Sequence, residues 1–174
     1  MKHKSKHKKE NILKLLRASN INKRLKLLDK LNGTKERDSI KILLKILEDT
    51  SWTLREKAAY KLANIGNRVV PNLTKLCEKG YWFTRASACL SLGEIGDLRA
   101  LDSIVSLLLI DDNPTVIKEA SLALVKMARQ NPAEFSKTIK TMTLDNPKIL
   151  KILVILETTD IEVYSKIKQT MENE

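Results

Sequence analysis

The sequence predicts an all-α fold: a right-handed α–α superhelix of about four to five stacked helix pairs. Three observations predict it. Three segments, Trp52–Gly66, Trp82–Gly96 and Pro114–Ala128, align without internal gaps at offsets of 30 and 32 residues. Apolar residues recur at helical spacing both inside these copies and between them. The chain has only five Gly and four Pro in 174 residues, too few turn formers for a many-stranded sandwich or barrel.

The elements follow in order along the chain. A weak first copy begins near Ile21 and runs through Leu28 and Leu31 to Gly33. Ile40, Leu43, Leu44 and Leu47 then trace one helical stripe. In the clear copies Ala58, Ala88 and Ala120 share a column, and Ala59, Cys89 and Ser121 share the next. Small side chains there let helices approach closely. Leu62, Leu92 and Leu124 follow four residues on, and Ile65, Ile95 and Met127 three after that, completing an apolar stripe. Gly66 and Gly96 stand just past the stripe, where a left-handed helix cap favours glycine.

Second helices lie between the copies. Val70, Leu73, Leu76 and Cys77 form one, with Pro71 in its first turn. Leu101, Ile104, Val105 and Leu108 form the next. Pro132 opens a helix through Phe135, Ile139 and Met142. Pro147 opens another through Ile149, Leu150, Ile152, Leu153 and Leu156, and the last stretch uses Ile161, Tyr164, Ile167 and Met171. Each pair exposes apolar surface that only its neighbours cover, which is the logic of a solenoid. Residues 11–174 are expected to form one domain, with the clearest repeats at 50–130 and an irregular C-terminal cap at 145–174.

Charge is unevenly spread. The chain carries a formal net charge of +11. Residues 1–50 hold 15 basic and 6 acidic residues, whereas 51–174 hold 17 and 15. Residues 1–10 contain Lys2, Lys4, Lys6, Lys8 and Lys9 and no apolar residue after Met1, so a disordered basic tail is expected. This segment lacks the apolar run of a secretory signal. The apolar runs Ile104–Ile110 and Ile149–Leu156 are far shorter than the ~20 residues of a membrane span. A cytoplasmic protein with reduced thiols at Cys77 and Cys89 is the expectation, without a membrane association.

At Leu92–Leu101 and Asp111–Leu124 the sequence resembles the HEAT-repeat family, in particular its short phycobilisome-lyase HEAT-like repeats. The resemblance implies a HEAT-like solenoid that binds macromolecules along a concave surface lined by the second helices. That family often carries Arg shortly before the repeat alanine. Arg55 and Arg85 fit, and Ile117 replaces the third. Both arginines are expected to bond to carbonyls or to acids of a neighbouring repeat, such as Asp49 or Asp111.

Enzyme constellations are missing. There is no phosphate-cradling glycine loop and no His-Glu-x-x-His. His3 and His7, the chain's two histidines, both lie in the first seven residues. Two ligands make a poor metal site, so no metal, cofactor or catalytic residue is assigned. The metal-dependent hydroxylases built on these repeats use His-Glu pairs, which are absent here. A lyase or a HEAT-like DNA glycosylase is a remote alternative, without a matching motif. Cys77 and Cys89 lack Cys-x-x-Cys spacing and are expected to be buried and unreactive.

The lysines give the best functional lead. Lys41, Lys45, Lys75 and Lys79 fall on the polar sides of successive second helices, while Lys23, Arg24, Lys26 and Lys30 make the first pair basic. Trp52 and Trp82 open successive repeats, and Tyr81, Trp82 and Phe83 cannot all be buried on one helix face. The candidate partner-binding residues are therefore Lys23, Arg24, Lys41, Lys45, Lys75, Lys79 and Trp82. The expected function is a monomeric, non-catalytic scaffold for an acidic protein partner. Nucleic-acid binding through the same basic surface is the alternative.

Overall fold

The computed structural model describes residues 20–29, 31, 36–142 and 146–173. The basic segment 1–10, with His3 and His7, lies outside the described residues, as do Lys30 and Gly33. Helices α1 (Ile21–Asp29), α2 (Glu36–Ile46), α3 (Trp52–Ile65), α4 (Val70–Lys79) and α5 (Trp82–Ile95) come first. They are followed by α6 (Leu101–Ile110), α7 (Pro114–Gln130), α8 (Pro132–Thr141), α9 (Asn146–Thr159) and α10 (Ile161–Glu172). The described residues contain no strand.

The helices stack in two layers. The odd-numbered helices α1, α3, α5, α7 and α9 form one layer, each against the next, and α2, α4, α6, α8 and α10 cover it. The fold is thus the expected solenoid of helix pairs. The stripe residues Leu54, Ala58 and Leu62 of α3, Ala88 and Leu92 of α5, and Ala120 and Leu124 of α7 are fully buried. Each leucine so buried contributes about 1.5–3 kcal/mol. The helix termini follow local chemistry. The Asn113 side chain accepts from Thr115 N at 3.0 Å and Val116 N at 3.3 Å, with Pro114 in the first turn of α7. Asp160 caps α10 in the same way, accepting from Glu162 N and Val163 N.

The two glycines past the stripes end their helices differently. Gly96 takes the left-handed conformation (φ 70°, ψ 13°) and donates its N–H to Leu92 O. Gly66 also has positive φ (77°), but its ψ of −149° lies outside the left-handed helical region and leads straight into a 3₁₀ turn, Gly66–Val69. The C-terminal stretch keeps the two-layer order, α9 packing on α7 and α10 on α8. Its buried faces are mostly those expected, Leu153, Tyr164 and Met171 also packing against the core, with two exceptions. Ile161 and Leu150 are exposed, while Val163 and Ile167 supply the core side of α10, and Ile152 and Leu156 that of α9. The cap at Asp160 fixes where α10 starts, and the resulting register turns Ile161 outward.

Through the middle of the array, from α3 to α7, the odd-numbered layer is the more closely spaced. α5 lies in contact with α3 and α7 along its length, whereas α4 and α6 touch more sparsely. Gly93 shows how close the approach is: a Cβ there would lie 2.7 Å from Ala123 Cα. Nearly all of α5 from Thr84 to Gly93 is buried. Ser91 donates its hydroxyl to Ala59 O at 3.0 Å, a buried bond across α5 and α3. In a two-layer stack the more closely spaced layer forms the inner, concave side. The column Ala58, Ala88 and Ala120 therefore makes the first helices the inner layer. The second helices, expected to line the concave face, are the outer layer.

Candidate partner-binding surface

The seven sequence-derived candidates do not form one patch. Lys41 and Lys45 lie on α2 and Lys75 and Lys79 on α4, all exposed on the outer layer. Lys23 is exposed on α1. Arg24, beside it, is not available as a free cation: its Nη2 binds the Asp49 carboxylate, and the pair is largely shielded from solvent. Lys45 pairs with Glu48 three residues on. Trp82 belongs to the inner layer, at the start of α5, and is half exposed. The Tyr81–Phe83 triplet divides as its spacing required: Tyr81 is 68% exposed, Trp82 45%, and Phe83 half-buried.

The outer layer also carries acid. Cys77, Glu78, Asp102, Ser106, Ile110 and Asp112 line a pocket of about 410 Å³ between α4, α6 and the loop after α6. The basic character of α2 and α4 thus stops at α6.

The inner layer presents a feature that composition did not reveal. Tyr60, Leu90, Leu122 and Val154 occupy the same repeat position on α3, α5, α7 and α9. Leu90 is buried between its neighbours, and Tyr60, Leu122 and Val154 are exposed. The signal lay in the same 30- and 32-residue offsets that revealed the repeat, carried one helix further. The charges beside this column are partly neutralised. Lys57 binds Asp29 at 2.8 Å with Lys61 nearby at 3.8 Å, and Lys126 binds Glu94. The Lys57 bond holds the Asp29 carboxyl below its ordinary value. Lys118 and Lys151 are exposed, without an ion-pair partner among the described residues.

Glu119 sits nearly covered on α7. Burial pushes its carboxyl above the ordinary value; Glu56 adds to the shift, while Lys118 and Lys126 oppose it. Glu56 acts from α3, on the other side of α5.

A ladder of arginines joins successive pairs. Arg85 Nη1 donates to Gly80 O at 2.9 Å, and its Nε and Nη2 grip Asp111 at 2.6 and 2.9 Å. The Asp111 hydrogen bond raises the guanidinium pKa. Burial pushes the Asp111 carboxyl up, but bonds from Arg85 and Asn113 outweigh it and hold the group below its ordinary value. Arg55 Nη1 donates to Asp49 O at 2.6 Å and Thr50 O at 2.9 Å. Both arginines therefore bond as the sequence suggested. Arg55 is 4% exposed, and its guanidinium lies 5.4 Å from the Trp52 ring centroid and 5.0 Å from that of Phe83.

Cys77 and Cys89 are buried free thiols. The neighbouring Cys77 and burial together push Cys89 well above the ordinary thiol range, so it does not form a reactive thiolate. Among the described residues no three His, Cys, Asp or Glu side chains gather as metal ligands, and no helix is long and apolar enough to cross a membrane.

No curated protein matches the chain in sequence. Solved structures resemble it at low identity. One is the complex of CpcE and CpcF of phycocyanin lyase from Nostoc sp. PCC7120, at 20% identity and a TM-score of 0.48, covering 91% of this chain and 68% of that one. A designed armadillo repeat protein in complex with the peptide (KR)4 is 17% identical with a TM-score of 0.39, covering 92% and 86%. An engineered protein is 17% identical with a TM-score of 0.42, covering 94% and 95%. The family of HEAT repeats matches in two overlapping spans, residues 10–83 and 40–125. With that match over most of its length, the chain belongs to the HEAT repeat family.

Proposed function

We propose that this chain is a non-catalytic cytoplasmic scaffold that binds a protein partner across its inner layer, the partner offering apolar side chains set in an acidic surface. The observation that carries this reading is the column Tyr60, Leu122 and Val154, exposed at one repeat position on three inner helices. Exposed aromatic and aliphatic groups in register supply the anchors on which protein interfaces depend. A phosphate backbone needs a continuous track of cations instead. Several inner-layer cations are already paired, Lys57 with Asp29 and Lys126 with Glu94. Lys118 and Lys151 remain to favour an acidic partner over a basic one.

A second reading rests on the outer layer, where Lys41, Lys75 and Lys79 are exposed on successive helices. Nucleic-acid binding would use that surface. It is the weaker reading because the acidic pocket of Glu78, Asp102 and Asp112 adjoins the basic patch.

One experiment separates the two. Affinity capture from native lysate is run with and without nuclease, beside titrations with duplex and single-stranded oligonucleotides at two salt levels. Nuclease-resistant capture of an acidic protein, with no oligonucleotide binding at about 50 mM salt, supports the proposal. Capture abolished by nuclease, with a steep salt slope, overturns it in favour of the second reading.

A further inference from the structure

The arginine ladder has one rung without its acid. Arg24 binds Asp49, and Arg85 binds Asp111 through both edges of its fork. These two aspartates are equivalent: each lies three residues before the start of an inner helix, at Trp52 and at Pro114. Each also accepts a bond from the backbone N–H two residues on, Asp49 from Ser51 and Asp111 from Asn113. The position three residues before Trp82 is Lys79. Arg55, which stands between these two acid-paired rungs, therefore meets no carboxylate from the following loop, although the Nε of Arg24 also lacks a hydrogen-bond partner. Its Nη1 is held by two carbonyls, and its buried Nε has no hydrogen-bond partner. A buried, unmet donor on a charged group is costly and is the kind of orphan that a ligand satisfies.

The surroundings fit a carboxylate. A guanidinium fork matches a carboxylate in geometry as well as charge, and Arg85 with Asp111 displays that match one rung away. The rim is aromatic and open to solvent at Trp52, Tyr81 and Trp82. Trp52 and Phe83 lie over the guanidinium, so a carboxylate reaching Nε must shift one of these rings.

We propose that Arg55 is an anchor site for an aspartate or glutamate side chain of the protein partner, which supplies in trans the carboxylate that Asp49 and Asp111 supply in cis to the neighbouring rungs. This rests on the acidic-partner reading above and names a contact within it. The aromatic rim then covers the bound side chain and excludes water from the charge pair, which strengthens it.

The test uses the full chain with a hexaglutamate peptide as probe, read by tryptophan emission. Lys79→Asp puts a carboxylate at the sequence position that Asp49 and Asp111 occupy in the neighbouring copies. It is expected to raise the melting temperature and to weaken the peptide by about tenfold or more. Lys75→Asp makes the same charge change one turn earlier on α4 and is expected to weaken it only about twofold. Arg55→Lys keeps the charge but not the fork, and should also lose about tenfold. Equal weakening by Lys79→Asp and Lys75→Asp, or no effect of Arg55→Lys, overturns the Arg55 site and leaves the acidic-partner reading standing. Absence of any hexaglutamate binding to the parent chain, together with capture of no acidic protein, overturns both.

Discussion

Arg85 and Asp111 are joined by two parallel hydrogen bonds, Nε to Oδ2 at 2.6 Å and Nη2 to Oδ1 at 2.9 Å, and so tie the start of α5 to the loop that opens α7. The carboxylate side chain is 4% exposed and the guanidinium side chain 22%. A pair so placed is costly to break on one side, because the remaining charge stays partly buried. Asp111→Asn is expected to cost about 2–4 kcal/mol in urea denaturation. The pH dependence has a definite sign. The folded pKa of Asp111 lies below its ordinary value, so the pair stabilises fully above the unfolded value of about 3.9 and is lost as pH falls through the folded value. The gap between wild type and Asp111→Asn should therefore close in strong acid. A gap that stays constant from neutral pH to strong acid contradicts this account.

The closeness of α5 and α7 rests on Gly93. The equivalent residues of the flanking copies, Ala63 and Val125, carry side chains, so nothing in the helix itself calls for glycine there. Helix propensity alone favours alanine over glycine by about 1 kcal/mol. The Ala123 backbone decides the matter, since a Cβ on Gly93 would stand 2.7 Å from Ala123 Cα. Gly93→Val is expected to push the helices apart and to destabilise by about 1–3 kcal/mol or more, despite its better helix propensity. Denaturant titration measures it, and a stabilised variant would show that the close approach is not maintained in solution.

Glu119 should behave in the opposite sense to Asp111. Its folded pKa is raised, chiefly by burial. The folded state holds the protonated form more tightly, so the group stabilises below the unfolded value of about 4.3 and becomes a cost as pH rises through the folded value. Glu119→Gln removes that cost while keeping the shape. The variant is expected to melt higher than wild type at pH 7, with the difference shrinking towards pH 4. Thermal melts by circular dichroism at the two pH values check it, and a lower melting temperature at pH 7 would count against a buried, unfavourable charge.

The sequence made some of these relationships legible and hid others, for physical reasons. The period, the alanine column and the leucine stripe announced the solenoid, because each repeat must solve the same packing problem with similar residues. The bonds of Arg55 and Arg85 were legible for the same reason. Which layer lies inside was not. Curvature depends on the difference in spacing between two layers, and that difference emerges only when Gly93 meets Ala123 and Ser91 meets Ala59. The pairing of Arg24 with Asp49 was hidden because it repeats the Arg85–Asp111 contact in the least regular copy. Tyr60 and Leu122 escaped notice because tyrosine and leucine within an apolar helix read as core, and their exposure depends on how far the neighbouring helices reach.

That exposure gives the functional prediction. Tyr60 and Leu122 stand on α3 and α7, either side of the buried Leu90, so a partner that contacts one is positioned to contact the other. Each is more than a third exposed, and truncating it removes little from the core. Tyr60→Ser with Leu122→Ser is therefore expected to leave the melting temperature nearly unchanged, surface substitutions of this kind staying within about 0.5 kcal/mol. Binding of the captured protein partner should weaken by about tenfold or more for the pair, as the loss of interface anchors does, and mainly through faster dissociation. Lys118→Glu with Lys151→Glu should act differently. Those charges steer encounter, so the variant should slow association at low salt and approach wild type as salt is raised. Surface plasmon resonance against the captured partner resolves the two rate constants. Should the serine pair leave dissociation untouched while Lys41→Glu with Lys75→Glu abolishes binding, the outer layer carries the function and the inner column does not.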